Sequence, residues 1–447
     1  MVVELESVLT VAAYRFSDLE SERVTREGHD YVVLPSPGKL RSWRVDAEQV
    51  LQYYIYHSKQ NDVNYFFDRY NAADWRLTEL VPMVTKVNLM GDVVLDLMVA
   101  LHQLRNSSKR HLIHYDRALR NFGQVLQRPE RGTCDWLSLL ACIVLLAQYD
   151  VNTRRGRDLA IHLRAAANLL KLHEHEDVAP ALRNKRRTLT RVTMTYDLQH
   201  NLVSGDDLHL PLSSYELMLR TARPIESNGE VRTSLDQLWS TTNYLWAKFA
   251  VMTESAEISD ESIVTISKGL VDILAGCRKY WREVEIDSPL HAPSPFGLTI
   301  IYRAPAYRLV GITLHTLALM LCSWSGTAHK YFDRIKYRNH IFRAHAPLFP
   351  WDSRDRRPKD SGKYVHHAFP SILHLTLAAS EVGPHEELQQ AWVQSIMSKA
   401  KEHGYTLGNT LLQILQSRST SGFGTWDDIG CKAFLTTCRY LRQSGLA

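Results

Sequence analysis

The sequence predicts an all-α fold, one large irregular multi-helix domain with room for two lobes meeting near residues 287–297. Three observations predict it. Apolar residues recur at three- and four-residue spacing from Val45 almost to the end of the chain, the mark of amphipathic helices. Alternating strand-like segments are nearly absent. Proline and glycine fall mostly between the periodic segments, where they punctuate loops. With 447 residues, 45% of them hydrophobic and 23% charged, the chain is rich enough in apolar side chains to bury a large core.

Residues 1–44 form an N-terminal extension, with Asp30–Gly38 extended and ending in a proline-rich turn. The helical domain is read over 45–445. Val50, Leu51, Tyr54 and Ile55 mark a first helix within 46–58, and Tyr65–Tyr70 is an aromatic docking segment. Thr78–Leu104 is long and apolar, with Pro82 and Gly91 expected to divide or kink it. His111–Leu126 follows, with Ile113, Tyr115, Ala118, Leu119, Phe122 and Val125 on its apolar positions. The centre is Trp136–Leu172: a run with few polar positions to Tyr149, a polar turn holding Gly156, and an amphipathic helix from Leu159. The first of this pair should be buried nearly all round, and a short loop favours antiparallel packing. Helices are then expected at 181–202, 231–252, 261–281, 305–324, 327–342, 369–381, 386–402, 407–415 and 426–441. Leu208–Pro211, Arg223–Gly229, Asp287–Gly297 and Ala346–Gly362 read as loops.

The segment Leu159-x-x-His162-Leu163-Arg164-Ala165-Ala166-x-x-Leu169-Leu170 resembles the "W-x-x-H-L-x-G-A-x-x-L-L" helix of the fungal-specific transcription factor domain. That domain is the regulatory half of binuclear zinc-cluster regulators. Leu159 stands where the family has Trp, and Ala165 where it has Gly. Val50–His57, Val81-Pro82, Tyr115–Leu126 and the pair Trp392 and Trp426 resemble further family segments in the same order. The likeness spans roughly 45 to 440. It implies a nuclear regulator of transcription, responsive to a small-molecule effector, to protein partners of the transcription machinery or to a second copy of the chain. Control of a secondary-metabolite gene set is part of the same expectation. The alternative is a helical shell reused as a cyclase- or isomerase-type enzyme or a metabolite-binding protein.

Direct DNA binding is not expected of these residues. A zinc cluster needs thiolates converging at short spacing, and Cys134, Cys142, Cys277, Cys322, Cys431 and Cys438 do not offer it. They show no C-x-x-C pair and sit mostly in apolar runs, which suits a reducing compartment better than a disulfide scaffold. The net charge of +5 is too diffuse to imply nucleic acid. Arg183–Arg191 could serve nuclear import or a nucleic-acid patch, but a solvated helix face is the commoner use of such a run. The most apolar late run, Leu309–Trp324, is interrupted by His315 and falls short of the roughly 20 residues of a membrane span.

No cofactor or metal is expected, and no catalytic residue. Phosphate-binding glycine loops, a G-x-S-x-G elbow and H-E-x-x-H are missing. In His173-Glu-His-Glu-Asp177 the two histidines sit at i and i+2, on different sides of a helix, and His111 and His114 lack a carboxylate placed to complete a set. Bulky walls with polar tips are instead the ligand candidates: Trp239, Tyr244, Trp246, Tyr302, Arg303, Tyr307 and His315. Arg303 is the one suited to an acidic ligand, because a guanidinium forks a carboxylate. Core packing is the competing reading, since large aromatics dominate cores.

Overall fold

The computed structural model describes residues 22–26, 29–33, 89–105, 111–127, 136–153, 156–174, 176, 180–222, 225–227, 230–232, 235–254, 259–283, 294–302, 305–349, 351–352, 357–358, 371–383, 385–402, 412–413 and 430–443. The helix expected at 46–58, the aromatic segment at 65–70, Pro82 and Trp426 lie outside them, as does nearly all of 407–415. The fold is all-α: thirteen α-helices stand among the described residues, beside four two-stranded antiparallel pairs. Contacts divide the chain into two compact units, 1–68 with 72–150 and 168–189, and 69–71 with 151–167 and 190–447. The divisions at 150/151, 167/168 and 189/190 fall within helices, whereas residues 287–297 belong to the second unit.

The first unit contains β1 (Glu22–Arg26) paired with β2 (His29–Val33), α1 (Leu89–Arg105), α2 (His111–Leu126) and most of α3 (Trp136–Thr153). Gly91 lies in the first turn of α1, and the stretch before Leu89, where the division of 78–104 is expected to begin, lies outside the described residues. The apolar run of α3 is buried at every position from Leu140 to Asp150, as its composition requires. Tyr149 stacks on Tyr115 at 3.9 Å and accepts or donates a 2.6 Å bond with His111. Tyr115 and Ala118 are buried on α2, but Ile113 is 62% exposed. That residue lies about 200° around the helix from Tyr115, off the buried face.

α4 (Gly156–Leu172) and α5 (Pro180–Ser204) each have residues in both units. α5 begins on proline and is stopped by Gly205, whose φ of 75° suits a glycine just past a helix end. In the second unit come α6 (Leu212–Thr221), β3 (Ile225–Ser227) paired with β4 (Glu230–Arg232), and α7 (Leu235–Glu254). The stretch expected to begin a helix at Val231 is thus first a strand, and the helix starts at Leu235. α8 (Asp260–Cys277) is capped by the Ser259 hydroxyl, which accepts from the Ser262 N–H at 3.4 Å.

β5 (Trp281–Glu283) pairs with β6 (Ile300–Tyr302) and leads to α9 (Pro305–Trp324), whose bounds match the sequence reading. α9 is the central helix of this unit. It packs against α7 and α8, and against α10 (Arg334–His345), α11 (Ile372–Ser380) and α13 (Cys431–Gln443). Its apolar run is therefore core, and no described helix is long and apolar enough to cross a membrane. The single helix expected over 327–342 is two, a 3-10 segment at Gly326–Lys330 and α10. Asp333 divides them by capping α10, its carboxylate accepting from the Lys336 N–H at 3.0 Å. A short β7 (Trp351–Asp352) and β8 (Arg357–Pro358) pair, and α12 (Glu387–Glu402) buries Trp392 among Phe296, Phe342 and Phe349.

Candidate functional site

A buried carboxylate holds together the helices around α9. Glu381, 1% exposed, follows α11. It accepts from the Ser323 hydroxyl of α9 at 2.9 Å and the Cys431 N–H of α13 at 2.7 Å, and it pairs with Arg334 of α10. Burial opposes the Arg334 charge, but Glu381 outweighs it and holds the guanidinium pKa above its ordinary value. Arg338, one turn further on α10, donates to the Glu381 carbonyl at 3.0 Å and forks Glu386 at 2.6 and 2.7 Å. Gly430 has φ of 130°, and a Cβ there would overlap the Arg334 guanidinium and reach to 2.7 Å from Glu381 Oε1.

Within this frame Tyr302 and His315, two of the sequence candidates, come together with three residues that the sequence did not single out. The β5–β6 register sets Trp281 opposite Tyr302, their rings meeting edge to face at 5.6 Å. The Tyr302 hydroxyl and His340 Nε2 share a 2.7 Å hydrogen bond. His340 in turn stacks on His315 at 3.6 Å, nearly parallel, and Tyr337 leans on His315 at 5.2 Å. Gly311 makes room for this: a Cβ there would lie 2.5 Å from the Tyr302 hydroxyl.

Two imidazoles can stack this closely when both are neutral. Burial pushes the His315 pKa down to about 4, against the opposing bond from its Nδ1–H to the Gly311 carbonyl at 2.6 Å. His340 is held well below its ordinary value by burial and then by His315 itself. The cluster offers buried, neutral hydrogen-bonding rings, not an acid–base pair poised near pH 7.

The other candidates go elsewhere. Trp246 meets His374 of α11 edge to face at 5.4 Å. Tyr307 stacks on Tyr280 at 4.1 Å. Trp239 donates its indole N–H to Thr195 at 3.2 Å, and Lys248 lies over the Tyr244 ring at 5.1 Å. Arg303 lies outside the described residues. His340 and Trp281 sit in polar, basic surroundings that gave no signal. His374 did give one, a lone polar ring in the apolar run Ile372–Ala379, and reading for a buried polar residue would have found it.

Several polar features prove to be structural. Arg186 closes the end of α4, donating to the carbonyls of His173, Glu174 and Glu176 at 2.9, 2.8 and 2.8 Å, and lies over Trp136. Arg191 pairs with Asp236 at 3.0 Å. So the basic run is not merely a solvated face. His173 stacks on Trp136 at 4.7 Å and pairs with Glu176. His111 and His114 turn to different partners, Tyr149 and Asp96. Among the described residues no three His, Cys, Asp or Glu side chains converge as metal ligands would. Burial pushes the Cys322 and Cys438 thiols up to about 12, which keeps them from acting as nucleophiles near neutrality.

A comparison with protein families finds one likeness. Residues 89–282 match the fungal specific transcription factor domain. The family is the one the 159–170 segment resembles, over a shorter stretch than the 45–440 read from the sequence. α4 with its family-like helix lies inside the matched domain, as do Trp239, Tyr244, Trp246 and Trp281. Tyr302, His315, His340 and His374 follow it. No curated protein and no solved structure matches the chain.

Proposed function

We propose that the protein is a regulator of transcription acting in the nucleus, and that its helical second unit responds to a small-molecule effector. The observation that carries this reading is the match of residues 89–282 to the fungal specific transcription factor domain. Two features of the second unit support the effector. Its helices are locked to one another by buried ion pairs, and they enclose neutral polar groups in an apolar interior, as small-molecule sites do. Output would pass to the transcription machinery through protein partners or a second copy of the chain. A secondary-metabolite gene set is the target class proposed, and the role is regulatory, not catalytic.

The test tethers the full chain to a promoter through an unrelated DNA-binding domain and reads a reporter in a fungal host. A reporter that rises or falls several-fold over the tether alone is expected. An unchanged reporter, with the fusion present in the nucleus, would overturn the reading.

A further inference from the structure

Inside the second unit, α7, α9 and α11 bring together two polar atoms that have no partner. Trp246 of α7 is 2% exposed, and its indole Nε1 finds no acceptor. His374 of α11 is 1% exposed, and its Nδ1 finds no partner either. The two rings touch edge to face, 5.4 Å between centroids at 71°.

The hydrogen-bond directions around His374 follow from counting protons. Its Nε2 lies 3.3 Å from the Thr313 hydroxyl of α9. Thr313 has one hydroxyl proton, and gives it to the Leu309 carbonyl at 2.8 Å. The hydroxyl oxygen must therefore accept from His374, which places the ring proton on Nε2. Nδ1 is left as a bare acceptor. Burial holds the His374 pKa down to about 3, so no second proton fills that position at neutral pH. His345, nearby in the same unit, contrasts with it. Its Nδ1–H donates to the Ile341 carbonyl at 2.7 Å and its Nε2 accepts from Ser371 at 2.8 Å, so both nitrogens are used.

Trp246 thus presents an unused donor and His374 an unused acceptor, on rings in contact. Leaving buried polar atoms unpaired is unfavourable by about 1–3 kcal/mol each; of the buried atoms without a partner among the described residues, these two are a donor and an acceptor on rings that touch. A hydroxyl group carries the complement of both, an oxygen that can accept from the indole N–H and a proton that can go to Nδ1. An ether or ketone satisfies the indole alone, and a hydrocarbon neither. We propose that Trp246 and His374 form the recognition point of a site for an apolar molecule bearing a phenolic or alcoholic hydroxyl. This gives the effector of the proposed function a chemical class and rests on that reading for its biological purpose. A lone buried water has the same donor and acceptor pattern and is the rival occupant.

The test uses the full chain with 15N-labelled tryptophan and three probes of similar size: phenol, anisole and toluene. The Trp246 indole resonance is assigned by its loss in W246F, which keeps an aromatic ring but removes the donor. Phenol is expected to shift that resonance saturably, with at least fivefold tighter binding than anisole and tenfold tighter than toluene. H374F should abolish the preference for phenol. Equal binding of all three, no binding of any, or an indole proton in contact with a water that phenol does not displace would overturn the site. The probe series on the unaltered chain decides the matter even where a variant fails to fold. A tethered reporter that responds while phenol does not bind sinks this site and leaves the regulatory reading standing. Phenol binding with a silent reporter does the reverse.

Discussion

Replacing Arg338 by methionine tests how the second unit is held together. Arg338 is 2% exposed, and its guanidinium forks Glu386 at 2.6 and 2.7 Å while also donating to the Glu381 carbonyl. Breaking a buried ion pair by removing one partner costs about 3–5 kcal/mol. Glu386 keeps 27% of its side chain in solvent, so the stranded carboxylate can rehydrate in part. The low end applies to R338M, about 3 kcal/mol, or roughly 150-fold in the unfolding equilibrium at 1.4 kcal/mol per tenfold. E386M strands the buried guanidinium instead and should cost more, about 4–5 kcal/mol. The double variant R338M/E386M should cost much less than the sum, since no charge is left unpaired. Urea unfolding followed by both tryptophan fluorescence and circular dichroism gives the values and shows whether one transition is involved. Burial works against the Glu386 charge, but the bonds from Arg338 and the Gly383 N–H win and lower its pKa. The pair's contribution is therefore complete above the ordinary glutamate value of about 4.3 and fades as pH falls through the lower folded value. A loss under about 1 kcal/mol for R338M, or additive losses in the double variant, would refute this account of the network.

Three further outcomes are expected. Acidification should weaken the fold from about pH 6.5 downward: His315 is held at about 4 and His345 and His374 at about 3, with His340 also lowered. Burial is the main cause for each, with Arg278 and Lys336 pressing on the stacked pair and Arg308 on His345. The unfolded chain takes up these protons near pH 6.5 while the folded chain does not, so stability is full above that and falls toward pH 4; urea midpoints equal at pH 7.5 and 5.0 would contradict it. Gly311→Ala should cost about 1–3 kcal/mol by driving a methyl into Tyr302. Gly276→Ala, with open space around it, should instead gain up to about 1 kcal/mol, a contrast read by thermal melts. Arg186→Ala should destabilise by about 1–2 kcal/mol through three uncapped carbonyls, read by urea unfolding; a loss under about 0.3 kcal/mol would return the basic run to a surface role.

Local patterns showed the helices well. His111–Leu126 and Pro305–Trp324 carry their own limits, in a periodic face and in a proline at the first turn. The burial of α3 follows from its lack of polar positions. What the sequence hid depends on distant partners. Tyr302 meets His340 across 38 residues and Thr313 meets His374 across 61, and no periodicity encodes those meetings. Asp333 divides the stretch expected as one helix over 327–342 by capping α10, a break that its apolar spacing does not mark. Of the ligand candidates, Tyr302 and His315 lie in one cluster, while Trp246 belongs to another centred on His374, which stands out only when an apolar run is read for its lone polar ring.

Whether this chain governs transcription, as proposed, is tested most directly by the transcript profile of a strain lacking it. A limited set of genes should change, and expression of the full chain should restore them. A profile matching the parent strain under conditions where the protein is made would contradict the claim.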